Sequence, residues 1–374
     1  MAGIYIHIPY CKQKCNYCDF HFSTQTKSVY NMVKAICKEI ILKKHYLQTS
    51  EIETIYFGGG TPSFLTNKNL QLIIETIKQN FKLHKNIEFT IECNPDDLDK
   101  EKLIFLKSMG VNRLSIGIQS FNEFQLKFMN RAHNAQEALN SVKMAQQLEF
   151  NNITIDLIYG LPNTNLTYWK NQVKKAVELN VDHISAYCLT IEPKTAFGNW
   201  HKMGKFSPIN DEVSLLQFQY LIDELKKKGF EQYEISNFAR NNAFSKHNSA
   251  YWQGKHYVGI GPSAHSFNGK ERQWNIANNY KYIRAINNDE TYYETEILTK
   301  KDNFNERIMT RLRTKWGVDI NELKEISHKS YLAIEMIIQK FIASKDLQKQ
   351  DNIITLTPKG KFIADYITSE LFII

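Results

Sequence analysis

The chain has 374 residues, 43% of them hydrophobic and 23% charged, which is the composition of a folded protein with more than one average domain's worth of core. Its net charge of +8 is spread along the sequence, not gathered with aromatics into one basic stripe, so no nucleic-acid partner is expected. No run approaches the ~18 apolar residues of a membrane span, and "MAGIYIHIPYC" has no secretory leader, so a cytoplasmic protein without a transmembrane segment is expected.

In chain order, strand-like runs fall at 4–8, 52–57, 87–92, 113–118, 153–158 and 183–187. Between them lie stretches such as "LQLIIETIKQNF" and "AQEALNSVKMAQQLEF", whose apolar residues recur every three or four positions. This rhythm predicts an α/β fold over residues 1–200, a parallel sheet with outer helices that closes as a partial (β/α)6 TIM-like barrel. Residues 201–300 lose the rhythm and read as a linking, site-covering segment of loops and short strands. Lys226 to Lys228 mark the solvated end of a helix within it. Residues 301–374 read as helix, helix, hairpin, helix, a smaller α+β unit of winged-helix type.

The unusual residues cluster at one place in that rhythm. "YCKQKCNYCDF" follows the first strand, "GGGTPS" the second, "ECNPDD" the third, "IGIQSF" the fourth and "DLIYGLP" ends the fifth. Carboxyl ends of parallel strands in such barrels lie on one rim, so five unusual segments there define a site.

Cys11, Cys15 and Cys18 are three thiols within eight positions, while Cys37, Cys93 and Cys188 are scattered and read as packing residues. This is no disulfide framework. The triad fits two metal chemistries: a zinc site completed by His7 or His21, or a four-iron cluster with one iron open to a small molecule. "GGGTP" alone could be a mere tight turn, but on this rim it lets backbone approach a ligand closely. Glu92, Gln119, Arg131 and Asp156 could singly be a cap, a loop hydrogen-bonder or a surface charge. Together they suit a ligand carrying an amine, a carboxylate and a ribose.

C-x3-C-x2-C after the first strand, with GGGTP after the second, resembles the radical S-adenosylmethionine superfamily. "IYIHIPYCKQKCNYCDF", "YFGGGTPS", "ECNP", "RLSIGIQSF", "NRAH", "DLIYGLP" and "TPKGKFIADYI" extend the likeness over nearly the whole chain, to the oxygen-independent coproporphyrinogen III oxidase family. That resemblance implies a 4Fe–4S cluster on Cys11, Cys15 and Cys18, with S-adenosylmethionine on the fourth iron. It places Tyr5, Tyr17, Gly59, Gly60, Thr61, Glu92, Gln119, Arg131 and Asp156 at cluster or S-adenosylmethionine positions. Tyr17 stands where many relatives have phenylalanine.

Two departures set the chain apart from the oxidases. Phe20 stands where they carry one more cysteine, and Cys11 comes almost at once, without their N-terminal extension. Both resemble the shorter HemW-type relatives, which are heme chaperones. "HNSAYW" is similar to the H-N-x-x-Y-W segment of those relatives, which implies heme as a ligand, His247 as its contact and Tyr251 and Trp252 as stacking partners. His265 in "GPSAHSF" is a second candidate. The implied activity is heme transfer to an acceptor protein that the sequence does not identify. The rival is a radical enzyme acting on a tetrapyrrole, either coproporphyrinogen III dehydrogenase or a heme-opening methyltransferase.

Overall fold

The computed structural model describes residues 2–47 and 51–374. Its first six strands are those expected, each extended by one to five residues: β1 (Ala2–Ile8), β2 (Ile52–Gly59), β3 (Leu83–Cys93), β4 (Arg113–Gln119), β5 (Ile153–Tyr159) and β6 (His183–Cys188). They pair in parallel in that order. Ile4, Ile6, Ile8, Leu114, Ile116 and Ile155 are almost wholly buried, as strands covered on both faces require. The covering helices begin at polar caps: Thr66, Asp99, Asn134 and Asn165 each accept a backbone N–H of the first turn.

The segment 201–300 is not a linker. It supplies β7 (Glu231–Glu234), β8 (Asn237–Ala239), β9 (His256–Ile260), β10 (His265–Phe267), β11 (Glu271–Asn275) and β12 (Tyr293–Ile297) to the same sheet, whose order is 12-11-10-9-1-2-3-4-5-6-8-7. β9 lies parallel beside β1 and β8 antiparallel beside β6, so β6 never meets β1 and the barrel stays open. These strands are three to five residues long, too short to show an alternating pattern. "KHNSAY", read as loop, is the start of a short helix, Lys246–Trp252.

The barrel interior is polar beneath the rim. Arg113, 1% exposed, donates to Thr154 Oγ1 at 2.6 Å and to the Ala243 carbonyl at 3.3 Å. Arg113→Ala would strand those acceptors, and the expected cost is about 3 kcal/mol, measurable as a lowered urea midpoint.

Residues from Lys300 onward build a second core of Phe304, Ile308, Leu312, Tyr331, Ile334 and Ile338. It combines the helix Lys300–Leu312, a long helix Ile320–Ala343 broken at Ser327, and a small sheet of β13 (Val318–Asp319), β14 (Leu347–Gln350) and β15 (Ile353–Leu356). This is the expected α+β, winged-helix-like unit. Arg272 on β11 grips Glu306 with both guanidinium nitrogens, and Arg313 meets buried Glu234 at 3.2 Å, holding this unit against the sheet. Among the described residues no helix is long and apolar enough to cross a membrane.

Candidate functional site

The cysteine loop is held by backbone hydrogen bonds and by side chains, among them Asn16 Nδ2 to Phe128 O at 2.7 Å and Asn130 Nδ2 to Lys14 O at 2.7 Å. Cys11 N–H donates to Ser23 O at 3.1 Å, Ser23 N–H to Pro9 O at 3.0 Å, and Asn16 N–H to Met129 O at 3.0 Å. The glycine turn then straps the loop from behind: Gly60 N–H reaches Ile8 O at 2.9 Å and Thr61 N–H reaches Tyr10 O at 2.7 Å. A Cβ at Gly60 would sit 2.7 Å from Tyr10 O, so only glycine permits this approach.

Two donors are aimed at the sulfurs. Thr61 Oγ1 lies 3.3 Å from Cys11 Sγ, and Arg131 Nη1 lies 3.2 Å from Cys15 Sγ. Burial pushes the Cys11 thiol up to about 12 and the Cys18 thiol up to about 11, so without a metal both stay protonated. Three thiols, two of them with donors trained on their sulfurs, fit a thiolate-held iron–sulfur cluster. The zinc alternative fares worse. His7 engages both ring nitrogens, Nδ1 with the Tyr5 hydroxyl at 3.2 Å and Nε2 with His21 O at 2.9 Å, and His21 Nε2 meets Asn279 Oδ1 at 2.7 Å.

Of the other candidate residues, Glu92 and Gln119 lie at the ends of β3 and β4, Tyr5 and Asp156 lie within β1 and β5, and Arg131 follows the helix Glu123–Phe128. Arg131 is locked in place by Asn94 Oδ1 at 2.6 Å and Gly117 O at 2.8 Å, and its Nη1 also meets the Tyr17 hydroxyl at 3.3 Å. Burial works against its charge, but Tyr17 and Cys15 beside it outweigh that and raise its pKa. Its Nε is buried without a partner, which leaves one donor for a ligand carboxylate. Gln119 sits at a register shift of β4 with φ 67°, and its Nε2 lies over Gly117, 3.0 Å from where a Cβ would stand. Burial raises Glu92 to about 7 despite the Tyr56 hydroxyl at 2.7 Å, and raises Asp156 to about 6. Both carboxyls line one small inner cavity with Tyr56, Thr90, Arg113 and His183, and Glu92 also faces the outer cleft.

This has a consequence for stability. Glu92 holds a proton in the folded chain up to about pH 7 but releases it near 4.5 when unfolded, so its contribution to ligand-free stability falls as pH rises through that window. Glu92→Gln cannot ionise. Its stability relative to wild type should therefore climb from pH 4.5 to 7, by on the order of 3 kcal/mol, in paired denaturant titrations.

His247 departs from the surface position its Asn- and Ser-rich neighbourhood suggests. It is 1% exposed, on a helix whose first N–H groups, Lys246 and His247, both donate to Glu88 at 2.9 Å. Its Nδ1 meets Thr54 Oγ1 and its Nε2 meets the Tyr251 hydroxyl, each at 2.8 Å, and its ring stacks on Tyr56 at 5.0 Å. Burial lowers its pKa to about 3, so it is a neutral imidazole with both nitrogens engaged. Gly3 makes the room, since a Cβ there would lie 3.1 Å from the ring. Of the remaining cysteines, Cys93 is buried and Cys37 partly so, while Cys188 is an exposed residue whose sulfur packs against Gly160.

What opens to solvent is a cleft of ≈ 570 Å³ between the rim and the helix Lys300–Leu312. Tyr5, Gly59 and Glu92 form its inner end, while Phe20, Tyr251, Trp252, Tyr257 and Phe267 give it aromatic walls. Lys255 and Arg307 stand on it as cations, and Lys255 has no ion-pair partner among the described residues. Tyr257, Phe267, Lys255 and Arg307 were not foreseen, because no local motif marks residues that meet only through the sheet.

Comparison with known proteins agrees with this geometry. The radical SAM superfamily model matches residues 5–176 and the HemN C-terminal domain model residues 298–363. The chain is 33% identical over 371 residues to the heme chaperone HemW of Bacillus subtilis, covering 98% of each. It is 36% identical over 266 residues to the heme chaperone HemW of Escherichia coli, covering 70% of this chain and 69% of that one. In fold it resembles the coproporphyrinogen III oxidase HemN from Escherichia coli, with TM-score 0.86 and 21% identity over 99% of this chain and 89% of that one. Sequence, open barrel and C-terminal unit together show that the chain belongs to the HemW family of radical S-adenosylmethionine proteins.

Proposed function

We propose that this protein is a cytoplasmic heme chaperone: it binds heme in the cleft between barrel rim and C-terminal unit and passes it to an acceptor protein. The observation that carries the reading is the cleft, whose ≈ 570 Å³, aromatic walls and rim cations suit a flat apolar macrocycle with two carboxylates. Lys255 and Arg307 are the candidate partners of those carboxylates. An open cleft, rather than an enclosed cavity, suits a carrier that must release its cargo.

Cys11, Cys15 and Cys18 would hold a 4Fe–4S cluster, and with S-adenosylmethionine bound that pair supplies one-electron chemistry. The chain's own part is positioning. Glu92 would take the ligand's amine, the free Arg131 Nε its carboxylate, and Gln119 and Asp156 its ribose hydroxyls. Tyr17 shields the cluster loop and steadies Arg131. The six cysteines are free thiols, which suits a reducing compartment.

An anaerobic titration of the reconstituted protein with ferric heme tests the reading. Saturable binding near one heme per chain, followed by heme loss to an added apo-acceptor, supports it. Absence of saturable binding, or turnover of coproporphyrinogen III, rejects it in favour of an enzyme.

A further inference from the structure

Four strands repeat one short pattern: Thr90-Ile91-Glu92, Arg113-Leu114-Ser115, Thr154-Ile155-Asp156 and His183-Ile184-Ser185. Successive side chains of a strand face opposite ways, so the apolar middle residues take one face and the polar residues flanking them the other. Register keeps the polar residues together. Thr90 pairs with Arg113, Glu92 with Ser115, Ser115 with Thr154, Thr154 with His183, and Asp156 with Ser185. All of them line the inner cavity, whose volume is ≈ 50 Å³. Branched apolar side chains ordinarily fill such an interior. Polar groups buried there need partners.

Two of them have an atom without one. Thr90 is 0% exposed, and its Oγ1 has no hydrogen-bond partner among the described residues. His183 is 1% exposed; the Tyr233 hydroxyl holds its Nε2 at 2.7 Å, and its Nδ1 is unpartnered. Arg113 donates to the neutral oxygens of Asn152, Thr154 and Ala243. Glu92 opens onto both this cavity and the outer cleft.

We infer that the cavity is a built hydration site, in which about three ordered waters complete Thr90 Oγ1 and His183 Nδ1 and join Glu92 and Asp156 in one hydrogen-bonded network. The volume sets the number, at ~15 Å³ for each water. Water rather than an anion is the occupant, because Glu92 and Asp156 share the cavity with Arg113 and oppose its charge. A consequence for the ligand rests on the proposed function, in which Glu92 takes the amine of S-adenosylmethionine and Asp156 its ribose. The network ties those two contacts together. Thr90 lines the cavity and not the cleft, so it is a positioning residue that reaches the ligand only through the waters.

Crystals of the anaerobically reconstituted protein, with and without bromide, test the occupant. Solvent density within hydrogen-bond distance of Thr90 Oγ1 and His183 Nδ1 supports the site. A dry cavity, or anomalous bromide density in it, overturns it. Thr90→Val tests the same point by the sign of its effect. Valine matches threonine in shape and suits a strand, so losing an orphaned hydroxyl would raise the urea midpoint. Losing a water-bonded hydroxyl lowers it, and a lower midpoint is expected. In equilibrium dialysis of cluster-loaded protein, Thr90→Val should bind S-adenosylmethionine about fivefold more weakly, while Thr90→Ser, which keeps the hydroxyl, stays near wild type. Unchanged affinity in Thr90→Val, or an equal loss in Thr90→Ser, overturns the coupling to the ligand. Failure of wild type to bind S-adenosylmethionine strikes the proposed function instead, and the density and the midpoint still decide the water site.

Discussion

Glu39→Ala is expected to cost roughly 3–5 kcal/mol of stability, because it removes the centre of a fully buried polar network. Glu39 is 0% exposed on the helix Val29–Leu42 and accepts from Gly261 N–H at 2.7 Å, Asn275 Nδ2 at 2.7 Å and the Tyr282 hydroxyl. Lys43 completes the network at 3.1 Å and lies over the rings of Tyr46, Tyr292 and Tyr293. Removing the carboxylate leaves the Lys43 ammonium buried without its anion. Lys43→Met should be milder, since Glu39 keeps three donors. Denaturant midpoints of the two variants measure the difference, and equal losses would refute the assigned asymmetry.

Cys15→Ser is expected to abolish stable cluster assembly. On the proposed reading three thiolates are the whole protein ligand set, and a serine hydroxyl is a far poorer partner for iron. Arg131 makes the loss worse, since its Nη1 is aimed at that sulfur and its Nη2 is tied to Asn94 and Gly117. Iron and acid-labile sulfide per chain after anaerobic reconstitution should fall to near background. Retention of wild-type iron would remove Cys15 from the ligand set. Circular dichroism should stay unchanged, because the loop is anchored by backbone hydrogen bonds from Cys11, Asn16 and Ser23.

Much of the barrel was legible because its strands are covered on both faces. Continuous apolar runs of five or six residues, separated by helices with three- and four-residue periodicity, leave few other readings. The rim was legible for the same reason: once the strands are placed, Cys11, Gly60, Glu92 and Gln119 fall at or just past their ends, while Asp156 lies within the fifth strand. The segment 201–300 was not. β7 to β12 are short and mostly at or near a sheet edge, and the pairing of β9 with β1 joins residues about 250 positions apart. Nothing local in "HYVGI" announces that neighbour.

His247 shows the same limit at the level of one residue. Its sequence context is polar, yet Glu88 from β3, Thr54 and Tyr56 from β2 and the missing side chain of Gly3 combine to bury it. They come from three different strands, so burial is a tertiary outcome.

The sequence by itself determined the α/β rhythm, the cysteine triad, the rim and the kinship, because these depend on spacing within single elements. Only the tertiary structure decided that the middle segment completes the sheet, that the cleft forms against the C-terminal unit, and which imidazoles are engaged or free. Those outcomes depend on contacts between residues far apart in the chain, where backbone hydrogen bonding and packing rather than local pattern select the neighbour.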